Sequence, residues 1–386
     1  MKVLTAFTYE IDDINVAVSE ILDQLDLKNN LSKNAIGIIT CYTEFLDSGV
    51  VSALCDALPF GVVGCTTLAN GTANELGLLM LGLMVLTGDD ISFSSALSDS
   101  LFDEQEAPLE EAYQKASASL DGYPVMVMTF APLINHVGGE LIAELLDKAC
   151  SGIPLFGTLA MDHTRDYHKS QTIYNGKGYR NECAILLISG NIHPRFFIAS
   201  ISEQKAQKQK AIITQSTGNV LQAVNNVPFK EYLNTFNMIQ GDNSTEGLNT
   251  IPIVLDYNDG TQPVTRAIYL LTEEGYAVCG GKMPVNSTLA IGSIDYDEVV
   301  ESSGQLMKEA LASATDVNGI LLFPCLSRSL VLGSDALAEI KTVANELNGS
   351  LPYMMAYSGG EICPIYTDDG KSLNRFHNFT LVVCVF

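Results

Sequence analysis

Positive charge is scarce in this chain: 21 lysines and arginines stand against 45 aspartates and glutamates over 386 residues, a net charge of −24. Self-potential of that sign disfavours nucleic acid and anionic membrane as direct partners. The densest basic stretch, Lys205 to Lys210, has no interleaved aromatics and reads as a solvated connector. Long hydrophobic runs are missing as well. The longest, Leu76 to Thr87, is bounded by Asp89 and Asp90, and falls short of the ~20 residues that a bilayer-spanning helix needs. Met1 to Phe7 runs at once into Glu10, Asp12 and Asp13, which leaves no apolar segment for a secretory signal. No Cys-x-x-Cys pair occurs, so a zinc site or thioredoxin-like motif of that type is ruled out. Phosphate-binding loops, the Rossmann glycine pattern, Gly-x-Ser-x-Gly and His-Glu-x-x-His are absent too, so little argues for an enzyme.

What is present is a folding composition. Hydrophobic residues make up 47% and charged residues 17%, the balance of a packed globular chain long enough for two or three domains. Nine cysteines, scattered through apolar segments, fit a reducing compartment with thiols used as small hydrophobes. The expectation is a cytoplasmic protein.

One plan recurs three times. Leu58-Pro59-Phe60-Gly61-Val62-Val63-Gly64-Cys65-Thr66-Thr67 leads into an apolar run from Leu76 to Leu86. Ile153-Pro154-Leu155-Phe156-Gly157-Thr158 leads into Glu182 to Ile188, and Leu351-Pro352-Tyr353 through Ser358-Gly359-Gly360-Glu361 into His377 to Phe386. Ahead of each lie a helix, an apolar strand and a second helix. The strands are Ala35 to Thr40, Val125 to Phe130 and Gly319 to Phe323. The helices carry stripes such as Val18, Ile21, Leu22 and Leu25. The unit is therefore helix, strand, helix, strand, loop, strand. Continuous apolar strands imply sheets covered on both faces. The fold class expected is mixed α/β, three repeated units forming helix-flanked mixed sheets.

Residues Ile212 to Ile294 differ in character. Short apolar runs joined by Asn258-Asp259-Gly260 and Glu273-Glu274-Gly275 read as an antiparallel meander, and Pro228 opens a short helix. A division follows: residues 1–226 with two repeats, and 227–386 with the meander and the third.

The tail supports a family resemblance. Tyr357-Ser358-Gly359-Gly360-Glu361-Ile362, His377-Asn378-Phe379-Thr380-Leu381 and Phe323-Pro324-Cys325-Leu326-Ser327-Arg328 resemble motifs of the FIST family, as does Arg266 in the meander. Val63 to Thr67, and Phe156-Gly157 with Asp162, are similar to its N-terminal turns. Cys363 precedes Pro364 where family members commonly have glycine. The resemblance implies a cytoplasmic sensor of small ligands, amino acids among them. It also implies a variant reading as a haem-binding nitric-oxide sensor that regulates a partner histidine kinase.

Candidate chemistry follows from residue types. Small residues at the three turns (Gly64, Cys65, Thr66; Gly157, Thr158; Ser358, Gly359, Gly360) let a ligand approach the backbone, or simply let strands pack closely. Glu361, an acid among small and apolar residues, needs a partner; Arg266, Arg328 or a ligand's ammonium group would serve. Cys325 beside Ser327 and Arg328 offers a reactive thiolate with His377 as its base, against the commoner reading of a core thiol. Asn378 shares the loop entering the last strand. Asp162-His163-Thr164-Arg165-Asp166-Tyr167-His168 puts two imidazoles and two carboxylates together, so His163 and His168 are candidate metal or haem ligands. His136, His193 and the Cys363-Pro364 pair are further haem candidates without supporting context.

Overall fold

The continuous apolar runs become the inner strands of three six-stranded sheets. The computed structural model describes residues 1–386 except 73–74, 165–166, 202–205, 207–208, 240–246, 314–315 and 367–371. The first sheet runs, in spatial order, Lys2–Thr8, Leu81–Gly88, Asn34–Cys41, Val62–Thr66, then a hairpin of Thr172–Tyr174 and Lys177–Tyr179. The second runs Ile91–Leu97, Ala184–Gly190, Pro124–Ala131, Leu155–Leu159, then the hairpin Glu361–Tyr366 and Ser372–His377. The third runs Arg195–Ala199, Leu381–Val385, Ile320–Pro324, Tyr353–Ala356, then the hairpin Asn70–Thr72 and Glu75–Gly77. All three share one order. In each, the central strand pairs parallel with the strand after it and antiparallel with the closing strand.

The unit is thus larger than its sequence pattern. A strand precedes the first helix, and the segment expected as a loop is a hairpin that completes a different sheet. The strands Asn70–Thr72 and Glu75–Gly77 are three residues each with little apolar content, and they form because Met354 to Ala356 supplies a ladder for the first, which in turn pairs with the second. Context of this kind overrides local propensity.

Helices cover the outer face of each sheet. Ile14–Leu25 shows why they form: the Asp13 carboxylate accepts the N–H groups of Asn15 and Val16, and Ala17, Ile21 and Leu25 are buried at four-residue spacing. Left-handed Asp26, at φ 43°, ends the helix. The inner faces meet in a common core of Ile38, Val63 and Met84 from the first sheet, Met128, Phe130 and Phe156 from the second, and Phe323, Met354 and Val382 from the third. Phe156 and Phe323 stack at 5.5 Å across the last two.

The inserted meander closes on itself. Its order begins at Val264–Arg266 and ends at Ile268–Leu271. Ala267 alone separates them, so the sheet is a small barrel with its own core around Leu221, Phe229, Ile253 and Leu289. Pro228 caps the helix Phe229–Asn234. The strands Ala211–Thr217 and Val220–Val224 belong to the same barrel, which therefore straddles position 226. Among the described residues no helix is long and apolar enough to cross a membrane.

Candidate functional site

The three turns meet, tied to one another by main-chain hydrogen bonds. Met161 N–H donates to the Thr66 carbonyl at 2.9 Å, joining the first turn to the second. Leu159 N–H donates to Gly360 at 3.0 Å, and Gly359 N–H returns to Leu159 at 3.0 Å, joining the second to the third. Tyr357 N–H donates to Ala69 at 3.2 Å and the Thr67 hydroxyl to Tyr357 at 2.6 Å, which closes the ring.

The small residues themselves do not face a ligand. Gly64 and Gly157 lie inside strands, each level with a residue of the parallel neighbour, Ile39 and Thr129. A Cβ on Gly64 would sit 1.7 Å from the Ile39 carbonyl oxygen, and on Gly157 2.0 Å from that of Thr129. Close packing, the alternative reading, is their role. The third equivalent position is Met355, level with Leu322, so Gly359 lies beyond the pattern that the sequence aligned it with. Cys65 and Thr158 are buried in strands, and the Thr66 hydroxyl accepts Gln171 N–H at 2.9 Å. Gly360 does need to be glycine: φ is 142°, and a Cβ would meet Phe376 at 2.2 Å.

A cavity of about 300 Å³ opens where the segments leaving these turns meet the barrel. Its polar lining is Asp162, His163, Thr164, Tyr167, Asn249 and Tyr269, and its apolar side is Leu68, Leu326 and Leu330. Asp162 is buried and shapes the loop after the second turn, accepting N–H bonds from Thr164 and, at 2.8 Å, Lys169. Tyr167 holds a left-handed φ of 56° within that loop, strain that a bulky side chain carries only where its surroundings fix it. Its hydroxyl bonds Asn249. The Tyr269 hydroxyl donates to the Gly359 carbonyl at 2.8 Å, and burial pushes its pKa well up, so it stays a neutral donor. Arg165 and Asp166 lie outside the described residues.

Neither arginine pairs with Glu361. Arg328 is fully buried, its Nε 2.7 Å from Glu339, with further bonds to the carbonyls of Phe379 and Val299 and to Ser302 and Ser303. It pins the helix Leu326–Leu332 to the helices Tyr296–Ala312 and Ala338–Leu347. Arg266 is equally buried and is paired with Glu140, while donating to the Phe376 carbonyl at 2.8 Å. It fastens the barrel to the helix Gly139–Cys150. Both guanidinium groups serve as internal fasteners, and neither lines the cavity. Asn378 likewise braces the barrel, its Oδ1 accepting Ala267 N–H at 3.2 Å.

Glu361 instead accepts hydroxyl bonds from Ser358 and, at 2.6 Å, Thr380. It is fully buried, and desolvation lifts its carboxyl to about 8 against the pull of those hydroxyls. The folded state therefore holds a proton that the unfolded state, with an ordinary carboxyl near ~4.3, releases first. This contribution to stability is complete below that lower value and is lost as pH rises through about 8. Urea titrations across this window should show Glu361→Gln losing up to about 1.4 kcal/mol less stability per pH unit than the parent chain. Parallel pH dependence of the two would show that the acid ionises in the ordinary range.

Cys325 is buried beside Glu361, and both burial and that acid push its thiol pKa well up, the opposite of what a nucleophilic thiolate requires. His377 is not its base. The imidazole Nε2 bonds the Cys363 carbonyl at 3.2 Å, and burial holds its pKa down to about 3. The Cys/His pairing is absent from the structure.

The candidate haem and metal ligands do not fit those groups. A haem iron needs an imidazole free to ligate above an apolar slot. His163 lines the cavity, but its ring stacks on Tyr42 at 4.5 Å, with Nε2 3.5 Å from the Glu44 carboxylate. His136 bonds the Phe102 carbonyl at 2.8 Å, His168 is engaged within the chain, and His193 lines a separate surface hollow beside Arg195. Cys363 is buried within its strand. Among the described residues no three His, Cys, Asp or Glu side chains are grouped to hold a metal.

Tyr269, Asn249 and the three leucines were not singled out from sequence. Tyr269 left one clue, a hydroxyl inside an otherwise apolar strand, which demands a polar partner. Comparison with known proteins adds three findings. The FIST N domain family matches residues 35–226 and the FIST C domain family residues 228–364. No curated protein matches the chain. Among solved structures it is similar to cyanuric acid hydrolase from A. caulinodans, with 10% identity, 99% of this chain and 98% of that chain covered, and a TM-score of 0.36. Likeness of that degree says nothing about chemistry.

Proposed function

The chain belongs to the FIST family, whose domains are small-ligand sensory domains in signal transduction, and from that footing we propose that it senses an amino acid or similarly small carboxylate in the cavity between the joined turns and the barrel. The observation that carries this reading is the placing of Asp162, Tyr167, Asn249 and Tyr269 around one hollow of about 300 Å³. Asp162 supplies negative charge for an ammonium group. The Tyr167 phenol and the Asn249 amide are donors for a carboxylate, the Tyr269 oxygen, its proton held by the Gly359 carbonyl, is an acceptor, and Leu68, Leu326 and Leu330 receive an apolar side chain. Charge recognition thus falls to Asp162 in place of Arg266, Arg328 and Glu361.

Output goes to a separate partner, a histidine kinase being one candidate class, through a ligand-induced shift between conformations. A non-enzymatic role fits a cavity of hydrogen-bonding and apolar groups. All nine cysteines are unpaired thiols, which supports a reducing, cytoplasmic location. We further propose two regions, 1–226 and 227–386, as the functional halves.

Calorimetric titration with the twenty amino acids tests the reading. One of them should bind, and Asp162→Asn should weaken it tenfold to a hundredfold, the ~1.5–3 kcal/mol of a charged hydrogen bond. Tyr269→Phe should cost less. Unchanged affinity in both variants, with folding intact by circular dichroism, would remove the cavity from consideration.

A further inference from the structure

A second cavity, of about 400 Å³, lies between the barrel and the strand Arg195–Ala199. Among the described residues it shares no lining residue with the first. Most of its wall is apolar: Phe196, Ile198, Val254, Val264, Pro364 and Ile365 contribute side chains. Polar groups gather from Gln262, Thr265, His377 and Thr380. Among the described residues no lysine, arginine, aspartate or glutamate lines it.

We propose that this cavity is a second binding site, for a small uncharged molecule that is mostly apolar and carries one hydrogen-bonding end. The proposal is independent of the amino-acid reading of the first cavity. Its argument is one of complementarity. Apolar walls with a few convergent polar groups are the usual make-up of a small-molecule site. A charged ligand would bring an ion into this space with no counter-ion among the described residues of the wall, a cost of several kcal/mol. The groups behind the wall do not repair that. His377 is held neutral by burial, and its Nε2 proton is directed at the Cys363 carbonyl, which leaves Nδ1 an acceptor. Thr380 directs its hydroxyl proton at Glu361. Both groups therefore offer acceptor capacity, and the Gln262 amide supplies donors as well as an acceptor. An alcohol or phenol O–H suits this set.

The two cavities thus select opposite chemistry, a charged polar ligand beside Asp162 and a neutral apolar one beside Thr380. They are back to back. Thr380 and Ser358 hold the two oxygens of Glu361, and Gly359, next in the chain, accepts the Tyr269 hydroxyl that lines the first cavity.

The test uses the full chain with methyl-labelled isoleucine, valine and leucine, and benzyl alcohol as probe. Methyl signals of Ile198, Val254, Val264 and Ile365 should shift in a saturable way, while those of Leu68, Leu326 and Leu330 stay fixed. Benzoate and benzylammonium, of the same size, should bind at least tenfold more weakly. Ile198→Trp, which fills the space from the edge strand, should abolish the shifts at Val254 and Val264 while the remaining methyl spectrum stays folded. The proposal is overturned if no saturable shift appears at these four residues, if the shifts fall on Leu68, Leu326 and Leu330, or if benzoate binds as well as the alcohol. Should Ile198→Trp fail to fold, the probe series on the parent chain decides alone.

Discussion

Gly157→Ala is expected to abolish stable folding, or to cost more than about 4 kcal/mol where folded protein survives. The new methyl would stand 2.0 Å from the Thr129 carbonyl oxygen and 2.7 Å from its Cγ2. A flexible side chain moves away from such an intrusion; this carbonyl belongs to the parallel ladder itself, so only separation of the strands relieves the clash. Gly64→Ala meets Ile39 more closely still, at 1.7 Å, and should behave the same way. Gly152→Ala is the control. Its φ is +81° with nothing within 4 Å, so it carries only the left-handed backbone penalty of about 1–2 kcal/mol. Urea denaturation of the three variants should separate them clearly. A Gly157→Ala protein as stable as Gly152→Ala would mean that the strands are not in this register.

Arg328→Met should destabilise by about 3–5 kcal/mol, because it leaves the Glu339 carboxylate buried without its cation. Glu339 is fully buried, and its other oxygen accepts the Tyr357 hydroxyl at 3.1 Å, which cannot replace a positive charge. Adding Glu339→Leu should restore much of the loss, since replacing both members of a buried pair with apolar groups is often neutral. The midpoint of urea unfolding in the double variant, set against each single one, gives the coupling. Losses that simply add would show that the pair is not the source of the effect.

The strands and their flanking helices were legible because burial writes itself as apolar pattern: Asn34–Cys41, Pro124–Ala131 and Ile320–Pro324 are buried over most of their length. The hairpins' places were not. Asn175-Gly176, both at positive φ, marks the turn between Thr172–Tyr174 and Lys177–Tyr179, but the pairing with Cys65, Gly64 and Val63, far away in sequence, has no local sign. The meander's turns were readable, whereas its closure at Ala267 depends on which strands end up opposite one another. Arg266 and Arg328 are conspicuous in the sequence but their partners are not, because the acids that neutralise them resemble ordinary first-turn residues of helices. The missed signal is their phase: Glu140 lies in line with Ala143 and Leu146, and Glu339 with Val343 and Leu347, on stripes that are otherwise apolar and buried. A carboxylate in such a stripe demands a cation. The site itself was half readable, since Asp162, His163 and Tyr167 stand in one conspicuous cluster, while Tyr269 and Asn249 reach them only through the barrel.

The sharing of hairpins has an effect on biosynthesis. Leu155–Leu159 finds its outer neighbour only when Glu361–Tyr366 has been made, and Met354 to Ala356 must then recruit Asn70–Thr72, synthesised long before. Each sheet keeps a bare margin until another lends it two strands, so no third of the molecule can mature on the ribosome by itself. Cutting the gene between units should therefore yield sticky fragments instead of miniature proteins, and fragments mixed together should regain order only as a complete set.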